Sequence, residues 1–350
     1  MQKKAVVNLI KYFVENNPEA FRSEAYLVAE DFARNGDQQL GSYVLSLLSD
    51  DKYTFVPQDD PALGEFLTKV PYPNTPLVIP EAISNDLEGI LHAVGYQAGV
   101  NKFLFTGKPG TGKTESAKQL GRLLKREILV VRTERLIDSR LGQTAKNIDG
   151  LFQHINDLPY PDQVLILVDE LDSLAMERTD ARDLREMGRA TTAFLKGLDA
   201  LSPNIVLVAT TNLLDSFDRA LLRRFDTIID FNRYSRDDLL EIAKVLADTM
   251  LDQCHIPERN TRLLKKIIAL QDPVPYPGDL RNLIRSSIAF SDPDDHSDYL
   301  RRLFLRVRPD LQGNMDALKN RGFTVREIET LTQVSKSQVA RKLHKEGTHA

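Results

Sequence analysis

Two runs of the chain contain no polar side chain: Val164–Val168 reads VLILV and Ile205–Ala209 reads IVLVA. A half-exposed strand alternates apolar and polar residues. A strand apolar at every position has to be covered on both faces, as in a parallel sheet sandwiched between helices. Shorter strand-like segments at Lys102–Phe105, Ile128–Arg132 and Thr227–Phe231 are interleaved with helix-patterned stretches at Glu115–Arg126 and Thr144–Leu158. Ser84-Asn85-Asp86 is a polar cluster suited to cap a helix running to Tyr96. Repeated strand–helix units predict an α/β fold built on a doubly wound parallel sheet.

On either side of this block the pattern changes. Residues 1–58 have apolar positions at helical spacing (Val7, Ile10, Phe13; Ala25, Val28, Ala29, Phe32), with a third stripe at Val44, Leu45, Leu47 and Leu48. A small N-terminal helical bundle is expected there. Pro57, Pro61, Pro71, Pro73, Pro76 and Pro80 follow. Proline at this density stops helices and favours extended backbone, so 59–80 is read as a linker. The α/β domain is assigned to 81–234. Helical patterns at Ser235–Leu251, Asn260–Leu270 and Gly278–Phe290 predict a helical lid over 235–292. Pro293 and Asp294-Asp295 then separate a C-terminal helical segment, 293–350.

The chain has 350 residues, of which 42% are hydrophobic and 27% charged, which excludes wholesale disorder. Its 46 Lys and Arg against 50 Asp and Glu give a net charge of -4, so any contact with nucleic acid has to come from a local patch. The single cysteine, Cys254, excludes an internal disulfide and is read as a small buried apolar residue in a reducing compartment. The opening MQKKAVVNLIKYF lacks the long apolar stretch of a secretory signal, and no apolar run approaches a membrane span. A cytoplasmic protein without membrane contact is expected.

Between the first strand of the α/β block and its helix lies Gly107-Lys108-Pro109-Gly110-Thr111-Gly112-Lys113-Thr114, which fits G-x-x-x-x-G-K-[ST]. Its glycines allow backbone N–H groups to turn inward as an anion nest, and the following helix adds its positive dipole end. Lys113 is placed to reach the terminal phosphates of a nucleotide and Thr114 to bind Mg²⁺. Asp169-Glu170 directly follows VLILV, at the end of a buried parallel strand where ligands bind. Asp169 is read as a Mg²⁺ carboxylate acting through water, and Glu170 as the base that orients and deprotonates an attacking water.

These motifs, with the third strand's end Ala209-Thr210-Thr211-Asn212 and the following Asp218-Arg219-Ala220-Leu221-Leu222-Arg223-Arg224-Phe225-Asp226, resemble the AAA+ ATPase family and its second region of homology. The resemblance spans Leu77 to Phe290. It implies a P-loop NTPase core that binds and hydrolyses ATP with Mg²⁺. Asn212 would sense the γ-phosphate, and Arg223 and Arg224 would be fingers reaching a neighbouring subunit's nucleotide, which implies a homo-oligomeric, typically hexameric ring. Gly278-Asp279-Leu280-Arg281 is similar to the second sensor, with Arg281 facing the γ-phosphate. Leu77-Val78-Ile79 matches the adenine pocket by position, or else anchors an apolar linker. One departure stands out. Arg140, in Ser139-Arg140-Leu141-Gly142, occupies the place of a pore-loop aromatic, and an arginine favours acidic segments or phosphates over generic polypeptide. The charged stretch Glu177 to Arg189 is read as a solvated helix face, with a second pore-side loop as the alternative.

The segment 323–344 resembles a helix-turn-helix: a helix capped by Thr324, a turn at Gln333-Val334, and a second helix from Lys336 capped by Ser335. Ile328 and Leu331 should pack on Val334 and Val339, leaving Lys336, Ser337, Gln338, Arg341 and Lys342 outward, a composition suited to the major groove, although helical hairpins of this shape also serve as protein docking modules. The principal functional expectation is a ring ATPase that remodels or delivers a protein partner, with residues 1–58 as adaptor and a separately encoded protease among the candidate partners by family analogy. The alternative is a DNA-associated ATPase that uses the C-terminal segment. A nucleotide switch without hydrolysis is the third.

Overall fold

The computed structural model describes residues 3–14, 18–34, 64–73, 77–96, 99–138, 142–175 and 181–346. It divides into two compact units, Met1–Glu65 and Phe66–Ala350. In the first, helices α1 (Lys3–Val14) and α2 (Pro18–Arg34) pack on each other, with the Phe13 and Phe21 ring centroids 6.4 Å apart. Ala25, Val28 and Ala29 are buried, as the helical spacing requires. The third stripe, Val44 to Leu48, lies outside the described residues.

The second unit opens with strand β1 (Leu67–Val70) and helix α3 (Glu81–Gly95). Strand β2 (Lys102–Thr106), helix α4 (Lys113–Leu124), strand β3 (Glu127–Val131), the short helix α5 (Thr133–Leu136) and helix α6 (Gln143–Asn156) follow. Then come strand β4 (Val164–Val168), the single turn α7 (Asp172–Ala175), helix α8 (Ala181–Asp199), strand β5 (Val206–Thr211), the turn α9 (Arg219–Leu222) and strand β6 (Thr227–Asp230). The six strands lie in the order β1-β3-β4-β5-β2-β6. All pairs are parallel except β1 with β3, which is antiparallel in the register Leu67↔Val131 to Val70↔Ile128. This is the mixed parallel-sheet α/β core of a P-loop NTPase.

Every residue of β4 and β5 is buried. On one face, Phe103, Phe105, Leu165, Leu167, Val206 and Val208 meet Ile83, Leu87 and Ile90 of α3 and Ala117 and Leu120 of α4. Elsewhere α6 packs on α8, where Gly197 lies against the Phe152 ring: a Cβ there would fall 2.0 Å from the ring. β2 sits between strands reached by connections in opposite directions, so the loop after it lies at the topological switch point of the sheet.

Three expectations are corrected at this level. The stretch read as a proline-rich linker contains β1, because LTKV completes hydrogen bonds along the free edge of β3 and Leu67 is buried. Helix α3 begins at Glu81 behind Pro80, whose φ of -58 suits a helix entry, so Ser84-Asn85-Asp86 lie inside the helix. Cys254 is exposed, and it falls at the C-cap of the helix Arg236–Gln253.

After β6 the chain is helical: α10 (Arg236–Gln253), α11 (Thr261–Ile268), α12 (Pro277–Ala289), α13 (Asp298–Val307), α14 (Met315–Asn320), α15 (Val325–Thr332) and α16 (Lys336–Glu346). One apolar core runs from Leu239 through Leu280 and Phe304 to Ile328 and Val339, with no break at Pro293. The 293–350 segment is therefore packed into the lid. Asp298 explains the continuity at the junction. It is buried, accepts from the Asp292 amide at 3.0 Å and pairs with Arg301 and Arg302. Lys266 of α11 does the same further on, donating to Glu327 Oε2 at 2.8 Å and the Gly322 carbonyl at 2.8 Å. Among the described residues, no helix is long and apolar enough to cross a membrane.

Candidate nucleotide site

Gly107, Gly110 and Gly112 take φ values of 147, 78 and 90, a region closed to most side chains, which bends the loop between β2 and α4. Gly112 is the N-cap of α4 and supplies no side-chain cap, so the orphan N–H groups of the first turn have only the loop's own concavity to face. Thr111 is fully buried and ties the loop internally, its hydroxyl donating to the Lys108 carbonyl at 2.8 Å.

Lys113 is nearly buried and threads back through the loop. Its amine donates to the Gly107 carbonyl at 2.6 Å, the Lys108 carbonyl at 3.0 Å and Asn212 Oδ1 at 2.7 Å. Burial lowers the Lys113 pKa, opposed by the field of Asp169, Asp172 and Glu170. Lysine and Asn212 thus come from α4 and the end of β5 to one point.

Asp169 sits just beyond β4. Its Oδ1 accepts from the Thr114 hydroxyl at 2.8 Å and from the Thr210 hydroxyl at 2.6 Å. Thr210 Oγ1 accepts in turn from the Glu170 amide at 2.9 Å. Glu170 has a φ of 51, a left-handed conformation rare for a side-chain-bearing residue. This turn directs the chain out of the sheet, and Glu170 lines the cavity described next.

That cavity, of about 580 Å³, lies at the carboxyl ends of the strands. Pro109, Gly110, Gly112, Lys113, Thr114, Asp169, Glu170 and Asn212 line one side of it. Leu77 and Val78 line another part, with Ile242, Leu246 and Met250 of α10 completing an apolar end. Ile79 does not line it; it packs on the core between sheet and α3. Arg281 of α12 lines the cavity from the lid side and is exposed.

The two arginines after α9 part company. Arg224 is tied down, donating to Asp199 Oδ1 at 3.2 Å and to the Ala220 carbonyl at 2.9 Å. Arg223 is exposed. Neither lines this cavity. Arg140 lies outside the described residues. Gly142 is described, and as a left-handed N-cap it starts α6 where expected. The Glu177 to Arg189 stretch is described only from Ala181, as the start of α8.

Five contributions escaped the sequence reading, two of them from residues quoted only within motifs, Thr210 and Gly278. Thr210 buttresses the carboxylates as above, and Asp172 holds Asn212 by accepting from its backbone N–H at 3.2 Å. Tyr234 donates its phenol hydrogen to the Thr111 carbonyl at 2.6 Å, and burial raises its pKa. Gly278 donates its N–H to the Gly110 carbonyl at 2.8 Å. The backbones approach so closely there that a Cβ on Gly278 would lie 2.7 Å from Gly110 Cα. With Asn232 Oδ1 accepting from the Lys108 amide at 2.9 Å, hinge and lid hold the loop at residues 108, 110 and 111.

Among the described residues no cluster of three or more acidic, histidine or cysteine groups could cage a metal. Thr114 and Asp169 form the two-ligand arrangement that suits Mg²⁺, which keeps several waters and takes its other ligands from substrate phosphates.

Residues 103–233 match the profile of the family described as ATPase family associated with various cellular activities (AAA). An uncharacterized AAA family ATPase of Sinorhizobium fredii is 38% identical over 133 residues, covering 38% of this chain and 39% of that one. A proteasome-activating nucleotidase of Methanococcus vannielii is 32% identical over 153 residues, 42% of this chain and 37% of that protein. The chain spans less than half the length of these relatives. Among solved structures, the HORMA:CdnC:Trip13 complex of E. coli MS115-1 aligns with a TM-score of 0.57 at 20% identity, covering 71% of this chain and 96% of that one. The FIGL-1 AAA domain in complex with ADP aligns at 0.51 and 21% identity, covering 76% and 97%. At these identities the likeness is one of fold. The loop, its carboxylates and the matched profile agree on one conclusion: residues 103–233 are an AAA-family ATPase domain.

Proposed function

We propose that the chain hydrolyses Mg-ATP as a subunit of a homo-oligomeric ring and spends the turnover on remodelling or delivering a protein partner. The observation that carries the hydrolysis is the convergence of Lys113, Thr114, Asp169, Glu170 and Asn212 in a single cavity. Leu77 and Val78, with Ile242 and Leu246, offer the base an apolar seat. Lys113 leaves the Asn212 and loop-carbonyl partners it has here for the terminal phosphates. Thr114 and Asp169 would hold Mg²⁺, which would neutralise charge on the phosphate oxygens. Glu170, exposed at the strand end, takes a proton from the attacking water. Asn212, fixed through its amide by Asp172, helps place that water.

Arg223 supports the ring. It is exposed, away from its own chain's cavity, and ends a turn anchored by Asp218, whose side chain accepts from the Leu221 amide at 2.7 Å. A finger that cannot serve its own site serves a neighbour's. Arg224, held by Asp199, supports the turn instead. Relatives named proteasome-activating nucleotidase support a protein as the partner class.

The test is subunit mixing. Arg223→Ala should lower turnover by ~10³-fold or more, on the scale of supplied arginine fingers. Adding Glu170→Gln subunits, which keep Arg223, should restore turnover at mixed interfaces. No rescue, with both variants assembling normally, would remove the trans assignment.

A further inference from the structure

The last three helices form a unit of their own shape. Helix α14 packs on both α15 and α16, and α15 meets α16 through a three-residue turn. Thr324 and Glu327 close a capping box at the start of α15. Gln333 ends it in a left-handed conformation, φ 56, the geometry that glycine commonly provides in such turns. The start of α16 is satisfied by Glu329, whose carboxylate accepts from the Lys336 amide at 2.8 Å, in place of the cap expected from Ser335. Ile328, Leu331 and Val339 are buried together, with Val334 and Leu343 packed against them.

Opposite Val339, Ser337, Gln338, Arg341 and Lys342 share the exposed face of α16, and Lys336 is exposed at its first turn. From Met315 to Glu346 there are seven Lys and Arg against four Asp and Glu, in a chain whose total is -4. Of those acids, Glu327 is neutralised by Lys266.

We propose that α16 is a recognition helix for duplex DNA, lying in the major groove with Gln338 and Arg341 toward base edges and Lys336 and Lys342 toward phosphates. The helix-turn-helix scaffold presents its second helix in this way, and amide and guanidinium groups read base edges there. Phosphate neutralisation by local cations overcomes the chain's overall negative charge because the interaction is screened beyond about 10 Å. The unit is not a loose tail. Lys266 pins α15 to α11, and the core it shares also holds α12, so the DNA-binding face travels with the lid that carries Arg281.

The experiment is fluorescence anisotropy of the full chain with a labelled duplex of about two helical turns, ~21 bp, without nucleotide. Because no hydrolysis is involved, its outcome is independent of the ATPase proposal. Binding should weaken steeply as salt rises. The double variant Arg341→Glu/Lys342→Glu should lose at least ~10-fold in affinity and, through the phosphate contact of Lys342, shallow the salt slope by about one. These side chains are exposed, so basal ATPase and melting temperature should be unchanged, which separates lost contacts from misfolding. Absent binding, binding that the double variant leaves intact, or displacement by an acidic peptide or single-stranded RNA at lower concentration than by duplex would overturn the proposal.

Discussion

Asp169 Oδ1 receives two hydroxyl donors, Thr114 from the phosphate loop and Thr210 from the neighbouring strand. Thr210 also accepts from the Glu170 amide, so one hydroxyl fixes both carboxylate residues. Thr210→Val is nearly isosteric and removes both roles. Each lost hydrogen bond to a buried or charged group costs about 1–3 kcal/mol. Turnover should fall roughly 10- to 100-fold with ATP affinity less affected, as read from kcat and KM separately. The loop and the Asp169-Glu170 pair were legible because their residue types sit at fixed spacing along the chain. Thr210 was not, because its role arises from register: β4 and β5 align Val168 with Ala209, and that places the next residues side by side. The same holds for Asp172, which accepts from the Asn212 backbone N–H across the sheet and adds to the field on Lys113.

At the scale of elements, the hinge after β6 and the start of α12 grip the phosphate loop. Gly278→Ala meets backbone at 2.7 Å, where no side chain can yield, so the lid helix or the loop must shift. Overpacking of this kind costs about 1–3 kcal/mol. Calorimetry should record weaker ATP binding by one to two orders of magnitude with the fold retained. Tyr234→Phe, which only strands the Thr111 carbonyl, should weaken binding less.

Further along, burial would raise the Glu327 pKa, but the hydrogen bonds from Lys266 and Thr324 together outweigh it and hold the carboxyl below its ordinary range. A carboxylate depressed on folding adds stability above its unfolded pKa, and loses it as pH falls through the lower folded value. The melting-temperature gap between the native chain and Glu327→Gln should therefore be full at neutral pH and close as pH drops below about 4.3. The helices of the lid and tail could be read from their periodicity. Their union could not, because it depends on long-range partners such as Lys266 with Glu327, 61 residues apart. Strand β1 escaped for a related reason: four residues among prolines carry little pattern, and only the open edge of β3 makes them a strand.

For the whole molecule, the α/β core, its strand-helix order and its nucleotide loop followed from two fully apolar runs and one glycine-rich motif. What the sequence did not reveal was how the parts are tied: the lid gripping the loop, and the C-terminal helices built into the lid. The first of these ties reaches the cavity that Glu170 lines, where the proposed hydrolysis would take place. The direct measurement is steady-state ATP turnover of Glu170→Gln beside its ATP binding. Removing a general base should reduce turnover by ~10²–10⁴-fold while ATP stays bound. Turnover equal to that of the native chain, with ATP bound normally, would contradict the account.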